Sequence, residues 1–79
     1  MTYRESRIQR VIEDADRYPD EHSKVREIEN ITDDQRIRHF ASRKLRDVED
    51  GLIDSRRAAR LIDEEEDYYE RLRRDETNG

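Results

Sequence analysis

The sequence predicts an all-α protein, and two observations support that prediction. Its apolar residues recur at intervals of three and four along nearly the whole chain, which is the spacing of one face of a helix. Only one proline and two glycines occur in 79 residues, and no strand-like alternation persists. We therefore expect a single domain over residues 1–79. Its fold would be a small antiparallel bundle of three main helices plus one short helix, completed by dimerisation.

The first helix is predicted at about 3–17. Thr2 and Glu5 form the T-x-x-E pattern of a capping box at its start. Its apolar face consists of Ile8, Val11, Ile12 and Ala15. Pro19 ends the helix, because the residue before a proline is pushed out of the α region.

A short second helix is predicted at about 21–30 with Asp20 as its N-cap. Its apolar face is thin, so this stretch is also where disorder of the isolated chain would be expected. The third helix, at about 33–50, is the most regular, and Thr32 and Gln35 repeat the capping-box pattern in front of it. Its apolar face is formed by Ile37, Phe40, Ala41, Leu45 and Val48.

The third and fourth helices are predicted to form an α-hairpin that turns at Gly51. Glycine takes the left-handed conformation that ends many helices, and Asp54 is placed to cap the next one. The fourth helix is expected at about 55–74, followed by a frayed tail at 75–79. Its apolar face contains Ala58, Leu61, Ile62, Tyr69 and Leu72, with Tyr68 beside them.

The composition limits the classes of protein that the chain can represent. Charged residues make up 49% of it, about twice the usual share of roughly 25%, and hydrophobic residues only 30%. So little apolar material gives a small core, which favours completion by a second copy or a partner. The chain has no long apolar run, so the sequence predicts neither a membrane span nor a signal peptide. Cysteine is absent, which excludes disulfides and fits a cytoplasmic location.

No residues form a convincing catalytic or metal-binding pattern. His22 and His39 lie on different predicted helices, and no H-x-x-x-H or H-E-x-x-H spacing occurs. A phosphate-binding loop would need more glycines than the chain has. We therefore expect no enzymatic activity, no catalytic residues, no cofactor and no bound metal.

An acidic run in the fourth helix is the main candidate for a binding site. We call it the acidic patch, and it comprises Asp63, Glu64, Glu65, Glu66, Asp67, Tyr68 and Tyr69. One interpretation is a solvated helix face. The other is a docking patch for a protein with a basic surface, or a mimic of nucleic-acid phosphates, since tyrosines beside charge are common in interfaces.

A second charged feature lies on the third helix. The basic ridge comprises Arg36, His39, Arg43 and Arg46, at intervals that align them along one helix edge. It could neutralise phosphates or pair with the acidic patch. Residues 1–46 carry 11 Lys or Arg against 10 Asp or Glu, and residues 47–79 carry six against 12. Antiparallel packing would therefore bring opposite charges together, within one chain or between two.

These features favour a small acidic, non-enzymatic, protein-binding regulator or inhibitor. It would be a homodimer of phage or mobile-element origin that docks its last helix on a basic partner surface. Inhibition of a host defence nuclease by nucleic-acid mimicry is the sharpest version of this hypothesis. A nucleic-acid-binding regulator that uses the basic ridge is the second hypothesis, although the net charge of −5 counts against it. A structural or assembly subunit is the third.

Overall fold

The computed structural model describes residues 2–78 of the chain. Within them it contains no strand, so the all-α prediction is confirmed. Four α-helices and one 3-10 helix follow one another along the chain. They are α1 (Tyr3–Glu13), α2 (Glu21–Thr32), a 3-10 helix (Gln35–Ile37), α3 (Arg38–Glu49) and α4 (Ser55–Asn78). The second helix, predicted to be short, is 12 residues long and equals α3 in length.

The first helix is shorter than the predicted 3–17 because an aspartate ends it. Asp14 is the C-cap, and its carboxylate accepts a hydrogen bond from the backbone N–H of Arg17 at 3.1 Å. Aspartate side chains compete for nearby amides in this way and favour turns over helix. Ala15 consequently lies in the turn and is exposed, so its place in the predicted apolar face was wrong.

Three of the predicted helix starts are capped by the expected side chains. In front of α4, the Asp54 carboxylate accepts a hydrogen bond from the Arg57 N–H at 2.8 Å. The Thr2 hydroxyl accepts a hydrogen bond from the Glu5 N–H at 3.0 Å. The Asp20 carboxylate accepts one from the Ser23 N–H at 2.7 Å, and the Ser23 hydroxyl contacts the Asp20 backbone to complete a capping box. Side chains of this kind satisfy amides that have no partner in the first turn.

The predicted capping box of Thr32 and Gln35 was wrong. Thr32 is the last residue of α2, and its hydroxyl donates to the carbonyl of Ile28 at 3.0 Å. Asp33 ends that helix in the left-handed conformation, with φ of 54°. Asp34 then caps the 3-10 helix, because its carboxylate accepts a hydrogen bond from the backbone N–H of Arg36 at 2.9 Å. The continuous helix predicted at 33–50 is therefore a 3-10 turn followed by α3.

Gly51 takes the left-handed conformation, with φ of 77°. The N–H of Leu52 donates to the carbonyl of Asp47 at 2.9 Å, and the N–H of Gly51 to that of Val48 at 3.1 Å. These two bonds define a Schellman motif, which satisfies carbonyls at the end of α3. A Cβ added at Gly51 would meet no atom within 4 Å, so conformation alone favours glycine there.

Substitutions at the two left-handed positions should have opposite effects on stability. Gly51→Ala should lower the free energy of unfolding by about 1 kcal/mol, because a Cβ disfavours positive φ. Asp33→Gly should raise it by up to about 1 kcal/mol for the same reason. Urea denaturation measures both. Equal effects of the same sign would contradict the conformational explanation.

The last helix extends beyond the predicted boundary at residue 74. It continues to Asn78, through most of the segment 75–79 that we expected to fray, whereas Gly79 lies outside the described residues. At 24 residues it is twice as long as α2 or α3, and the longest dimension of the molecule is 43 Å. At a rise of about 1.5 Å per residue, α4 spans about 36 Å and accounts for most of that length.

All four helices contribute to one core. α4 packs against α1 and α3, and α2 packs against α1 and α3. The buried hydrophobic cluster comprises Ile8, Val11, Ile12, Val25, Ile28, Ile37, Ala41, Leu45, Ala58, Ala59 and Ile62. α1 and α4 run antiparallel, since Ser55 near the start of α4 bonds Glu13 while Arg4 bonds Glu70. Of the helices between residues 2 and 78, none has the length and apolar character that crossing a membrane requires.

Candidate interaction surface

The acidic patch is divided between the interior and the surface. Glu66 is 1% exposed and Asp63 4%, so both belong to the interior of the bundle. The side chain of Glu64 is 58% exposed, and Tyr68 is 53% exposed. The other three residues, Glu65, Asp67 and Tyr69, are half-buried. The seven residues predicted as one docking patch therefore do not share one surface.

Arg4 of α1 holds three carboxylates of α4. Its Nε donates to Asp63 Oδ1, its Nη2 to Asp67 Oδ1 at 2.6 Å, and its Nη1 to Glu70 Oε1 at 3.0 Å. The Thr2 hydroxyl also donates to Asp63, at 3.0 Å. Burial alone would lower the pKa of Arg4, but its hydrogen bonds to these carboxylates outweigh burial and raise that pKa. This network ties the start of α1 to the middle of α4.

A pair of buried carboxyl groups lies on the neighbouring side of α4. The carboxyl group of Glu66 lies within hydrogen-bonding reach of Asp34. Its second oxygen, Oε2, is buried without a hydrogen-bond partner. Arg36 bonds both oxygens of Asp34, with Nε–Oδ1 and Nη2–Oδ2 both 3.1 Å, and Arg73 adds a bond at 3.0 Å. The bonds to Arg36 lower the pKa of Asp34. Burial, together with the charge of Asp34, raises the pKa of Glu66 to about 7. Asp34 therefore keeps its charge, while Glu66 holds a proton below about pH 7 and loses it at higher pH.

The two tyrosines of the acidic patch differ in environment. Tyr69 packs against the core, and the guanidinium carbon of Arg36 lies 5.0 Å from its ring centroid, within the range of a cation–π contact. Burial raises the pKa of the Tyr69 hydroxyl, and the nearby carboxylate of Glu65 raises it further. Tyr68 is tilted against Tyr69, with ring centroids 6.1 Å apart, and faces solvent. Tyr68 is thus the aromatic residue of the patch that is available to a partner.

The basic ridge lies on the surface, and two of its four members have internal carboxylate partners. Arg36 is engaged by Asp34, and Arg46 Nε contacts Glu21 Oε1 of α2 at 3.2 Å. His39 and Arg43 are exposed. Within the chain, Arg38 and Arg46 of α3 pair with Glu29 and Glu21 of α2. Arg36 of the ridge contacts the acidic patch through Tyr69. Pairing of the ridge with the acidic patch of a second copy stays a prediction.

The two histidines line the same groove, although they come from different helices. His22 of α2 and His39 of α3 border a groove of about 600 Å³ together with Arg26, Arg38 and Ser42. Nowhere in residues 2–78 do three or more His, Asp or Glu side chains form a group that could hold a metal ion. The groove is lined by both basic and acidic side chains, the acidic ones being Glu21 and Glu29. Its charge therefore favours no single class of ligand.

Sequence reasoning missed the two residues that organise the interior of the acidic patch. Asp34 could have been found as a helix-capping aspartate, because its carboxylate accepts a hydrogen bond from the backbone N–H of Arg36, two residues later. Arg4 carries no local signal, since its partners are 59 to 66 positions away along the chain. Only the packing of α1 against α4 identifies it.

Fold and surface together define a small four-helix protein whose longest helix buries Asp63 and Glu66 on one side and exposes Glu64 and Tyr68 on the other. Comparison of the chain with protein-family models, with curated proteins and with solved structures finds no significant match.

Proposed function

We propose that this protein is a small non-enzymatic, protein-binding regulator or inhibitor that acts as a homodimer in the cytoplasm. Its α4 would dock on the basic surface of a partner protein. A phage or mobile element is the proposed source, and mimicry of nucleic-acid phosphates is the sharpest form of the proposal. A host defence nuclease is then the kind of partner expected.

The observation that carries this proposal is the run of carboxyl groups in the middle of α4. Residues 63–70 contain six Asp or Glu and no basic residue. Arg4 supplies one positive charge against three of these carboxylates. The side chain of Glu64 is 58% exposed and that of Asp67, which Arg4 contacts, is 47% exposed, and Asp67 directly precedes Tyr68. A basic partner could therefore contact negative charge and an aromatic side chain together, a combination suited to an interface centre.

Removal of two exposed charges from α4 should weaken partner binding. Wild-type protein and a Glu64→Gln, Asp67→Asn variant would be immobilised and exposed to lysate of the native host. The captured proteins would be quantified by mass spectrometry. We expect about tenfold less of the specific partner on the variant, because exposed interfacial charges contribute on the order of 1 kcal/mol each. Duplex DNA should displace that partner from the wild type.

A matched control removes two exposed charges elsewhere. Glu49→Gln with Asp50→Asn changes the net charge equally but lies at the end of α3, so it should retain the partner. Equal losses with both variants would contradict docking through α4. Simultaneous binding of partner and duplex DNA would contradict mimicry. Salt-sensitive binding of duplex DNA that is lost in Arg43→Glu would favour the basic ridge instead.

A further inference from the structure

One side of α4 carries an apolar stripe that the bundle leaves partly uncovered. Tyr68 is 53% exposed and Leu72 38%, and they are two of the four exposed large hydrophobic residues described. Leu61 is half-buried on the same side. Together with Glu65, these residues follow one another at intervals of four, three and four, which is the spacing of a two-helix seam. On the adjoining side of α4, Ala58, Ala59 and Ile62 are buried in the core, and Ala58 precedes Leu61 by three residues, so the stripe continues from the core toward the exposed end of the helix.

The charges along the edge of this stripe alternate in sign. Arg57, Glu64 and Arg71 succeed one another at intervals of seven residues, so they lie on one edge of the helix, and all three are exposed. An antiparallel second copy of α4, centred between Glu66 and Asp67, would bring its own Arg71 against Glu64. Twofold symmetry would repeat that pair. A parallel copy would not bring Glu64 and Arg71 together, because in a parallel pair each of these positions faces the opposite edge of the partner helix.

We propose that the stripe of Leu61, Tyr68 and Leu72 is where two copies of this chain pack, with their α4 helices antiparallel. The interface is isologous, so Leu61 of one copy faces Leu72 of the other while Glu64 pairs with Arg71. The inference deepens the homodimer named in the proposed function by assigning its surface. Burial of the stripe also extends a core that includes three alanines among its buried residues.

The proposal is tested by sedimentation equilibrium of the full chain over a wide range of concentrations. The wild type should form a closed dimer. Tyr68→Ala with Leu72→Ala should weaken dimerisation by at least about tenfold, because interfacial aromatic residues contribute the most binding energy. Circular dichroism and urea denaturation establish that the variants fold. Arg43→Glu, an exposed change on α3, is the control and should leave the dimer intact.

A charge exchange tests the antiparallel arrangement separately. Glu64→Arg and Arg71→Glu should each weaken dimerisation, and the double variant should restore it, since the pair is then reversed on both edges. Glu64 also contacts Arg60 within its own helix at 3.2 Å, so the stability of each single variant is measured alongside. A wild type that stays monomeric at every concentration, open-ended assembly, or a double variant as weak as the singles would overturn the proposal. Because Tyr68 and Glu64 lie in both proposed surfaces, the single variant Asp67→Asn, outside the stripe, separates the two proposals. It should reduce partner capture and leave the dimer intact. A monomeric wild type that still captures the partner would contradict the dimer alone.

Discussion

Glu66→Gln is expected to stabilise the protein at about pH 8.5 and to have a much smaller effect at about pH 5. The pKa of Glu66 is raised from 4.5 to about 7 in the folded protein. Because the folded state binds the proton more tightly, the stability that protonation contributes is fully present below about pH 4.5. It is lost as the pH rises through 7. Glutamine keeps a neutral, hydrogen-bonding side chain, so it avoids burying a charge at high pH.

The expected gain follows from the size of the pKa shift. One pKa unit corresponds to about 1.4 kcal/mol, so the variant should exceed the wild type by about 2 to 4 kcal/mol at high pH. Several charged groups face Glu66. Asp34 and Glu70 raise its pKa, whereas Arg4 lowers it. Removal of the negative charge at position 66 leaves the bonds of Asp34 with Arg36 and Arg73 in place.

Urea denaturation of both proteins at intervals between about pH 5 and pH 8.5 measures this difference directly. Glu64→Gln, which removes an exposed carboxylate two residues away, is the control for the loss of one negative charge from α4. The pH range lies above the titration of Asp34, whose lowered pKa makes its contribution disappear only in stronger acid. A constant difference between wild type and Glu66→Gln over the whole range would contradict a protonated Glu66.

Arg4→Gln is expected to lower the free energy of unfolding by about 3 kcal/mol. The side chain of Asp63 is 5% exposed, and Arg4 supplies its charged partner. Loss of one partner from a buried ion pair leaves an uncompensated charge in the interior, which typically costs about 3 to 5 kcal/mol. We expect the lower end of that range, because the Thr2 hydroxyl still donates to Asp63 and Arg4 itself is 22% exposed.

A double-mutant cycle distinguishes the ion pair from general loss of packing. Asp63→Asn should recover part of the stability lost in Arg4→Gln, since an amide needs no cationic partner. Arg10→Gln, at an exposed position on the same helix, should change stability by less than about 0.5 kcal/mol. Additive effects of Arg4→Gln and Asp63→Asn would show that the two side chains do not interact.

The helices could be predicted from the sequence because their signals are local. The caps of α1 and α2, the left-handed Gly51 and the apolar spacing of each helix depend on residues a few positions apart. The errors occurred where two local signals compete. The side chain of Asp14 accepts a hydrogen bond from the backbone N–H of Arg17, and α1 therefore ends early. At Thr32 a hydroxyl bonded the preceding turn instead of capping the next helix.

The sequence by itself determined that the chain is helical, rich in charge and acidic in its last helix. The tertiary structure alone decided which of these charged side chains are buried and which partners they have. Neighbouring carboxylates such as Glu64 and Glu66 look alike in the sequence, yet one is exposed and the other buried. Their difference arises because α1 and the turn before α3 pack on one side of α4, bringing Arg4 and Asp34 from distant parts of the chain. Pairing and burial depend on such long-range contacts, which helical periodicity does not specify.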